Sequence, residues 1–224
     1  MKIFYICRTF SGLESSLLNK VWNPTGVPTI YKVLEYLDKS KHQLRLILID
    51  YGIEKEHKTI FPLNRNFSLK LKNFGSKIFI IVNYIKSRNK ILMKIEKIFS
   101  LIKIQFSIIY QFLKFKPDVI YVDRSNILIA SILTRFFKAN TLIRIMGIYP
   151  SMWEIPKKKG LSQKVISWCF KSKFKLAICT EDGTAGNLWM KKSLDSSVNT
   201  KILLNGVGKK KKIKNNYRKK INIS

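Results

Sequence analysis

Acidic residues, histidine and cysteine are scarce in this sequence of 224 residues. It has 13 Asp and Glu against 43 Lys and Arg, a formal net charge of +30, and two histidines. The three cysteines, Cys7, Cys169 and Cys179, form no CxxC pair. So sparse a set argues against a disulfide framework and predicts reduced, buried thiols in a cytosolic protein. With so few side chains of the ligand type, widely scattered, we expect no metal and no other cofactor.

Long apolar runs are also missing. The run Ile3–Cys7 is too short for a signal peptide and is closed by Arg8. The sequence has no stretch of about 18 uncharged apolar residues, so we expect no membrane-spanning helix. No GxGxxG follows Cys7, which counts against a dinucleotide-binding enzyme, although another Rossmann-like enzyme stays open.

The positive charge has two interpretations. A field this strong attracts polyanions such as nucleic acids, nucleotides and anionic lipids. The sequence is also rich in Lys, Ile, Asn and Phe and poor in Ala, Gly and Pro, a bias that AT-rich coding produces without any function. No zinc-finger, RRM or helix-turn-helix pattern is recognisable, so nucleic acid is the less favoured partner.

Strand-like and helix-like segments alternate along residues 1–208. The predicted strands are Ile3–Cys7, Leu44–Asp50, a weak strand at Phe67–Leu71, Val119–Val122, Thr141–Ile145, Leu176–Thr180 and Ile202–Leu204. This alternation is typical of an α/β fold, a Rossmann-like doubly wound sheet, and we expect six or seven mostly parallel strands. The tail 209–224 is lysine-rich and without alternation, which predicts disorder or the start of an interdomain linker.

Residues 77–115 are predicted to be helical. From Glu96 onward, the polar side chains of this predicted helix recur every three or four residues: Glu96, Ser100, Lys103, Ser107, Gln111 and Lys114. They form a narrow polar stripe on an apolar helix, which is typical of a helix that is mostly buried or lies partly against lipid. With the surplus lysines, it predicts a cytoplasmic protein that docks peripherally on an anionic membrane surface, the inner face of the cell membrane.

Ligands of open parallel sheets bind at the carboxyl ends of the strands. The residues expected there are Thr25-Gly26, Asp123-Arg124, Met146-Gly147, Thr180-Glu181 and Asn205-Gly206. Thr25 can cap the helix in which Pro28 suits the first turn. Gly26 lies where unpaired N–H groups favour an anion, although a simple tight turn explains it equally well.

Each further candidate has a structural alternative. Arg144 could hold a phosphate or a sugar, or cap backbone carbonyls. Glu181 could orient an acceptor hydroxyl, or complement a helix dipole. Tyr149 and Trp153 could stack on a sugar, or pack within their loop.

Four segments, taken in order, resemble one enzyme family. They are Gly26-Val27-Pro28 with Leu34 and Leu37, Lys116-Pro117-Asp118-Val119-Ile120-Tyr121, Arg144-Ile145-Met146-Gly147-Ile148-Tyr149-Pro150, and Lys201-Ile202-Leu203-Leu204-Asn205-Gly206-Val207. Together they look like the N-terminal, acceptor-side domain of GT-B glycosyltransferases of the large retaining family four. Met146 stands where the family often has a sugar-contacting histidine, and Gly208 replaces its usual aspartate.

The resemblance implies transfer of a sugar from a nucleotide-sugar to a glycan or lipid-linked acceptor. It implies substrate contacts at Thr25, Gly26, Arg144, Gly147, Tyr149, Glu181, Asn205 and Gly206, with no catalytic residue identified. In the family the donor site lies in a C-terminal domain that has no counterpart here, so we expect the chain to be one half of the enzyme and inactive alone.

Overall fold

The computed structural model describes residues 1–51, 66–83, 89–155, 160–181 and 183–204. Eight strands form one sheet: β1 (Lys2–Arg8), β2 (Gln43–Tyr51), β3 (Phe67–Leu71), β4 (Phe74–Asn83), β5 (Val119–Asp123), β6 (Thr141–Ile145), β7 (Leu176–Glu181) and β8 (Asn199–Leu204). Their spatial order is β3-β4-β2-β1-β5-β6-β7-β8. Every neighbouring pair is parallel except β3 and β4, which are antiparallel. The predicted doubly wound, mostly parallel α/β sheet is therefore confirmed, with eight strands instead of the six or seven expected.

Helices cover both faces of the sheet. The helices are α1 (Glu14–Asn19), α2 (Pro28–Lys39), α3 (Lys90–Phe115), α4 (Ile127–Phe137), α5 (Pro150–Glu154), α6 (Leu161–Phe170) and α7 (Gly186–Ser193). Apolar side chains of α1 and α2 pack on one face. Those of α3, α4, α5, α6 and α7 pack on the other. Because β1 contributes Phe4 and Ile6 to one layer and Tyr5 and Cys7 to the other, its side chains are buried on both sides.

The predicted helix over residues 77–115 is wrong in its first part. Residues 74–83 form β4, which pairs in parallel with β2, and the helix begins only at Lys90. The run Ile78-Phe79-Ile80-Ile81-Val82 is apolar at every position, so its periodicity cannot distinguish a buried strand from a buried helix. Its β-branched residues pack well between two neighbouring strands, which favours the strand.

Two further predictions need correction. Thr25 does not cap α2: the residue at the cap is Val27, without a side-chain hydrogen bond, and Pro28 occupies the first turn as expected. Trp153 lies in the short helix α5, partly buried against the core, so it packs rather than projects from a loop. The three cysteines are buried thiols, as predicted.

The helix α3 differs from the other helices in what it exposes. By length and composition its segment Ile91–Phe115 could cross a membrane, and only 17% of its most apolar stretch is buried. The criterion of an uncharged run missed this segment because five charged residues interrupt it: Lys94, Glu96, Lys97, Lys103 and Lys114. The alternative that the helix is mostly buried is therefore wrong.

Candidate functional site

The carboxyl edge of the sheet has a crevice between β1 and β5. These two strands are neighbours, yet the chain leaves β1 toward β2 on one side and β5 toward β6 on the other. The helices that follow them, α2 and α4, pack on opposite faces. The loops after the two strands therefore separate at this point, which is where open α/β sheets bind their ligands.

Two glycines bring the backbone of the β1–α2 connection close together. Gly12 and Gly26 both have positive φ, +85° and +87°, and the Thr25 N–H donates to the Gly12 carbonyl at 3.0 Å. A Cβ on Gly26 would collide with the backbone carbonyl of Ser11. Only glycine combines this φ with so close an approach, so both positions require it. Sequence analysis identified Gly26 and missed Gly12, although both mark turns in one connection.

The loop after β6 lies against this connection. The Thr29 hydroxyl in the first turn of α2 donates to the Met146 sulfur at 3.5 Å. Gly147 follows with φ +118°, and the Ile148 N–H donates to the Thr184 hydroxyl at 3.1 Å. The connections after β1, β6 and β7 thus meet, and Thr184 is a contact that sequence reasoning did not find.

Tyr149 lies on the open side of this loop. More than half of its side chain is exposed, and the Arg124 guanidinium, which follows β5, lies 5.6 Å from the centre of its ring. A cation near the face of an exposed phenol ring is a weakly attractive pair. The ring keeps free surface on which a sugar could stack.

Arg144 is buried at the end of β6, with only 9% of its surface exposed. Its Nη2 donates to the Thr180 hydroxyl on β7 at 2.8 Å, and its Nε has no partner in the described part of the chain. The salt bridge found in the described residues joins Lys32 to Glu35. No carboxylate in that part of the chain therefore forms a salt bridge with Arg144. A buried guanidinium without an anion is costly, so the position of Arg144 is not explained by stability.

Asp123 is the buried carboxyl group of the crevice. It accepts hydrogen bonds from Asn126 Nδ2 at 2.6 Å, from the Ser125 hydroxyl at 3.2 Å and from the Arg8 N–H at 3.4 Å. Burial is the main cause that raises its pKa above the ordinary value, against those hydrogen bonds and the charge of Arg8. Because it is 6% exposed, Asp123 can position the β5 loop but has little access to a ligand.

Two tyrosines extend this buried cluster under the crevice. The rings of Tyr5 on β1 and Tyr121 on β5 stack with their centroids 4.6 Å apart. Burial raises the pKa of both phenols, so both hydroxyls stay protonated at neutral pH. Two neutral, stacked phenol rings therefore lie beneath a rim that carries the guanidinium groups of Arg8 and Arg124.

The remaining candidate site residues are Glu181, Thr25, Asn205 and Gly206. Glu181 ends β7 with an exposed side chain, and Thr25 is exposed beside Gly26. Asn205 and Gly206 lie outside the described residues, as does the tail 209–224. No group of three or more His, Cys, Asp or Glu side chains in the described ranges could hold a metal ion.

Two cavities lie away from the carboxyl edge. One of about 360 Å³ is lined by residues at the starts of β6, β7 and β8, including Asn140, Lys175 and Asn199, and so lies at the amino ends of these strands. The other, about 110 Å³, lies among α6, α7 and the residue after α5. Neither contains a candidate site residue. The crevice between β1 and β5 is thus identified by topology and polar groups rather than by enclosed volume.

No protein-family model and no curated protein matches this chain. Among solved structures it is similar to the UDP-GlcNAc 2-epimerase from Methanocaldococcus jannaschii, with TM-score 0.45, 15% identity, and coverage of 91% of this chain and 45% of the epimerase. It is similar to a UGT transferase from Siraitia grosvenorii in complex with UDP, with TM-score 0.46, 7% identity, and coverage of 92% and 50%. It is also similar to the glycosyltransferase of kitacinnamycin, with TM-score 0.47, 8% identity, and coverage of 95% and 53%.

The chain therefore spans about half the length of these proteins. The likeness is one of overall fold at low identity, and by itself it assigns no activity to the chain.

Proposed function

We propose that this chain is the acceptor-side half of a nucleotide-sugar-dependent glycosyltransferase of the GT-B type. In the whole enzyme a sugar passes from a nucleotide diphosphate sugar to a glycan or lipid-linked acceptor. The chain supplies one wall of the cleft, the crevice between β1 and β5. Membership of the retaining family four is part of this proposal and rests on the four sequence segments that resemble it.

The observation that carries the proposal is the buried guanidinium of Arg144. It lies at the carboxyl edge of the sheet, is held by Thr180, and has one N–H without a partner in the described residues. A fold does not keep a desolvated cation for stability, since an apolar side chain of similar size is usually as good or better. A ligand anion bound at the crevice would compensate the charge of this guanidinium.

The surrounding groups suit a sugar with an attached diphosphate. Gly12, Gly26 and Gly147 have the positive φ that shapes the loops around the crevice. Arg8 and Arg124 supply positive charge at the rim, and Tyr149 offers an exposed ring. In the whole enzyme, positive side chains and helix N-termini can stabilise the leaving diphosphate, so we propose a transfer that needs no metal ion.

The proposal is tested by nuclear magnetic resonance titration of the ¹⁵N-labelled chain with a short-chain isoprenyl diphosphate sugar, an analogue of a lipid-linked acceptor. We expect amide shifts concentrated at the crevice, around Gly26, Gly147 and Thr184. The variant Arg144→Met should lose at least about tenfold in affinity, because it removes the charge-assisted hydrogen bonds. ATP serves as the control for charge, since a chain of net charge +30 attracts any anion.

A matched variant is Arg45→Met. Arg45 is partly buried, its guanidinium lies 4.3 Å from the ring of Phe115, and its Nη1 donates to Gln111 on α3, which packs on the face of the sheet opposite to α2. The variant Arg45→Met should bind the acceptor analogue as the wild type does. Equal shifts with ATP, spread over surface lysines and abolished by salt, would instead favour the nucleic-acid-binding alternative.

A further inference from the structure

The exposed side of α3 carries a continuous apolar strip. We define it by nine side chains that are each 44–70% exposed: Ile91, Leu92, Ile95, Ile98, Phe99, Ile102, Phe106, Tyr110 and Leu113. At 3.6 residues per turn they fall within an arc of about 120° and extend over roughly 33 Å. A contiguous apolar surface of this kind on a soluble domain marks an interaction site.

The opposite side of the same helix holds it to the protein. Ile104 and Ile108 are fully buried in the core, and two members of the polar stripe also contact the protein, with Gln111 buried and Ser107 bonded to Asn66 at 2.9 Å. The side of α3 that faces the domain is thus largely apolar. The strip is a second apolar side of the same helix, which the domain leaves uncovered.

Lysines lie beside the strip on both sides. By helical position, Lys103 and Lys114 follow one edge and Lys94 follows the other, and all three are exposed. The Lys114 ammonium lies 6.0 Å from the centre of the Tyr110 ring, at the border of the strip. Long lysine side chains in this position can reach lipid headgroups while their methylene groups stay with the apolar surface.

We propose that α3 docks this protein on an anionic lipid surface, with the helix lying along the membrane and its apolar strip immersed. The apolar face with flanking lysines is what an interfacial helix requires. The net charge of +30 adds long-range attraction to such a surface. The same charge opposes the other occupant of an apolar face, a second copy of this chain, since two such molecules repel each other.

The helix does not cross the membrane in this arrangement. From Ile104 onward it packs on the core of the domain, while residues 91–103 contain no buried side chain. Those 13 residues span about 20 Å at 1.5 Å per residue. The hydrocarbon core of a bilayer is about 30 Å thick, so the part of α3 that is free of the domain is too short to span it.

The docked helix would also bring the crevice near the membrane. As the crossover from β4 to the parallel strand β5, α3 begins at the carboxyl edge of the sheet and returns to the amino edge. Its least buried half is therefore at the edge that holds Arg144 and Gly147. The proposal does not depend on the proposed function, because lipid binding is measured without any sugar.

Flotation with vesicles of phosphatidylcholine, with and without phosphatidylglycerol, tests the proposal on the full chain. We expect binding to the anionic vesicles only. The strip variant Ile98→Gln, Phe99→Gln, Ile102→Gln should reduce the bound fraction at least about tenfold, because three immersed side chains become polar. The matched control Leu18→Gln, Tyr36→Gln, Leu188→Gln removes three equally exposed apolar side chains elsewhere and should bind as the wild type does.

A second measurement reports immersion directly. The three native cysteines are buried, so an environment-sensitive fluorophore can be attached selectively to Phe106→Cys on the strip or to Leu188→Cys on α7. We expect anionic vesicles to shift the emission of the first to shorter wavelength and leave the second unchanged.

Three results would overturn the proposal. They are equal recovery with both kinds of vesicle, unchanged binding by the strip variant, and a dimer in sedimentation velocity that the strip variant dissociates. The last would assign the strip to a second copy of this chain.

Discussion

The crevice and the apolar strip depart from ordinary protein architecture in opposite directions. At the carboxyl edge a charged side chain, Arg144, is buried without a carboxylate partner among the described residues. On α3 nine large apolar side chains are exposed. Isolated exposed leucines need no explanation, whereas a buried cation or a continuous apolar surface does. Both regions therefore point to something outside the chain that satisfies them, a polar ligand in one case and lipid in the other.

The comparison also separates function from stability. Neither region is explained by what it contributes to folding, since the buried cation is desolvated and the exposed strip removes little apolar surface from water. Denaturation of variants in each region measures how much that region contributes to the free energy of unfolding.

The largest effect should distinguish the two sides of α3. Ile108→Ala removes a fully buried side chain and should lower the free energy of unfolding by about 2–5 kcal/mol. Phe99→Ala removes a larger side chain from the strip and should change it by less than about 0.5 kcal/mol. Urea denaturation of both variants measures this. A loss of several kcal/mol for Phe99→Ala would mean that the strip is covered in the folded monomer.

The sequence predicted most of the sheet because its strands are short apolar runs bounded by turn residues. Strands β1, β2, β5, β6 and β7 begin and end within two residues of their predicted positions. It missed β4, where β-branched residues form an uninterrupted apolar run, and the six-residue helix α1, too short for a periodic pattern. Both depend on neighbours that a single sequence does not reveal.

The candidate site was predictable only in part. The carboxyl-end rule places Gly26, Arg144 and Gly147 at the correct edge, because it needs only the strand ends. It could not predict that Gly12 touches the connection at Thr25, or that Arg144 lacks a carboxylate partner in the described residues. Likewise the pattern of α3 defined a polar stripe, but which side faces the protein is decided by tertiary packing.

The second effect concerns the cost of the buried cation. The double variant Arg144→Met, Thr180→Val removes both partners of the buried hydrogen bond, so no polar group is left unsatisfied. We expect it to be as stable as the wild type or more stable by about 1 kcal/mol, because an apolar pair replaces a desolvated charge. Thermal and urea denaturation measure it. A loss of more than about 1 kcal/mol would make Arg144 a structural residue and weaken the proposed function.

The smallest effect is a pH dependence that comes from Asp123. Its pKa in the folded state is raised by burial above the ordinary value of 3.8. The folded state therefore binds the proton more tightly than the unfolded state, and the carboxyl group destabilises the fold as pH rises from about that value through the folded pKa. Comparing the wild type with Asp123→Asn by urea denaturation across this range, we expect the stability of the wild type relative to the variant to fall with rising pH.

An exposed aspartate should show the opposite sign and serves as the control. Hydrogen bonds from the Ser197 hydroxyl and N–H are the main cause that lowers the pKa of Asp195. Its folded state therefore favours the carboxylate, and the stability of the wild type relative to Asp195→Asn should rise with pH and be lost on acidification. Other carboxyl groups titrate equally in wild type and variant, so they cancel in each difference. If Asp123 behaved like Asp195, its hydrogen bonds from Asn126 and Ser125 would outweigh its desolvation, and the crevice would hold a stable buried charge rather than a strained one.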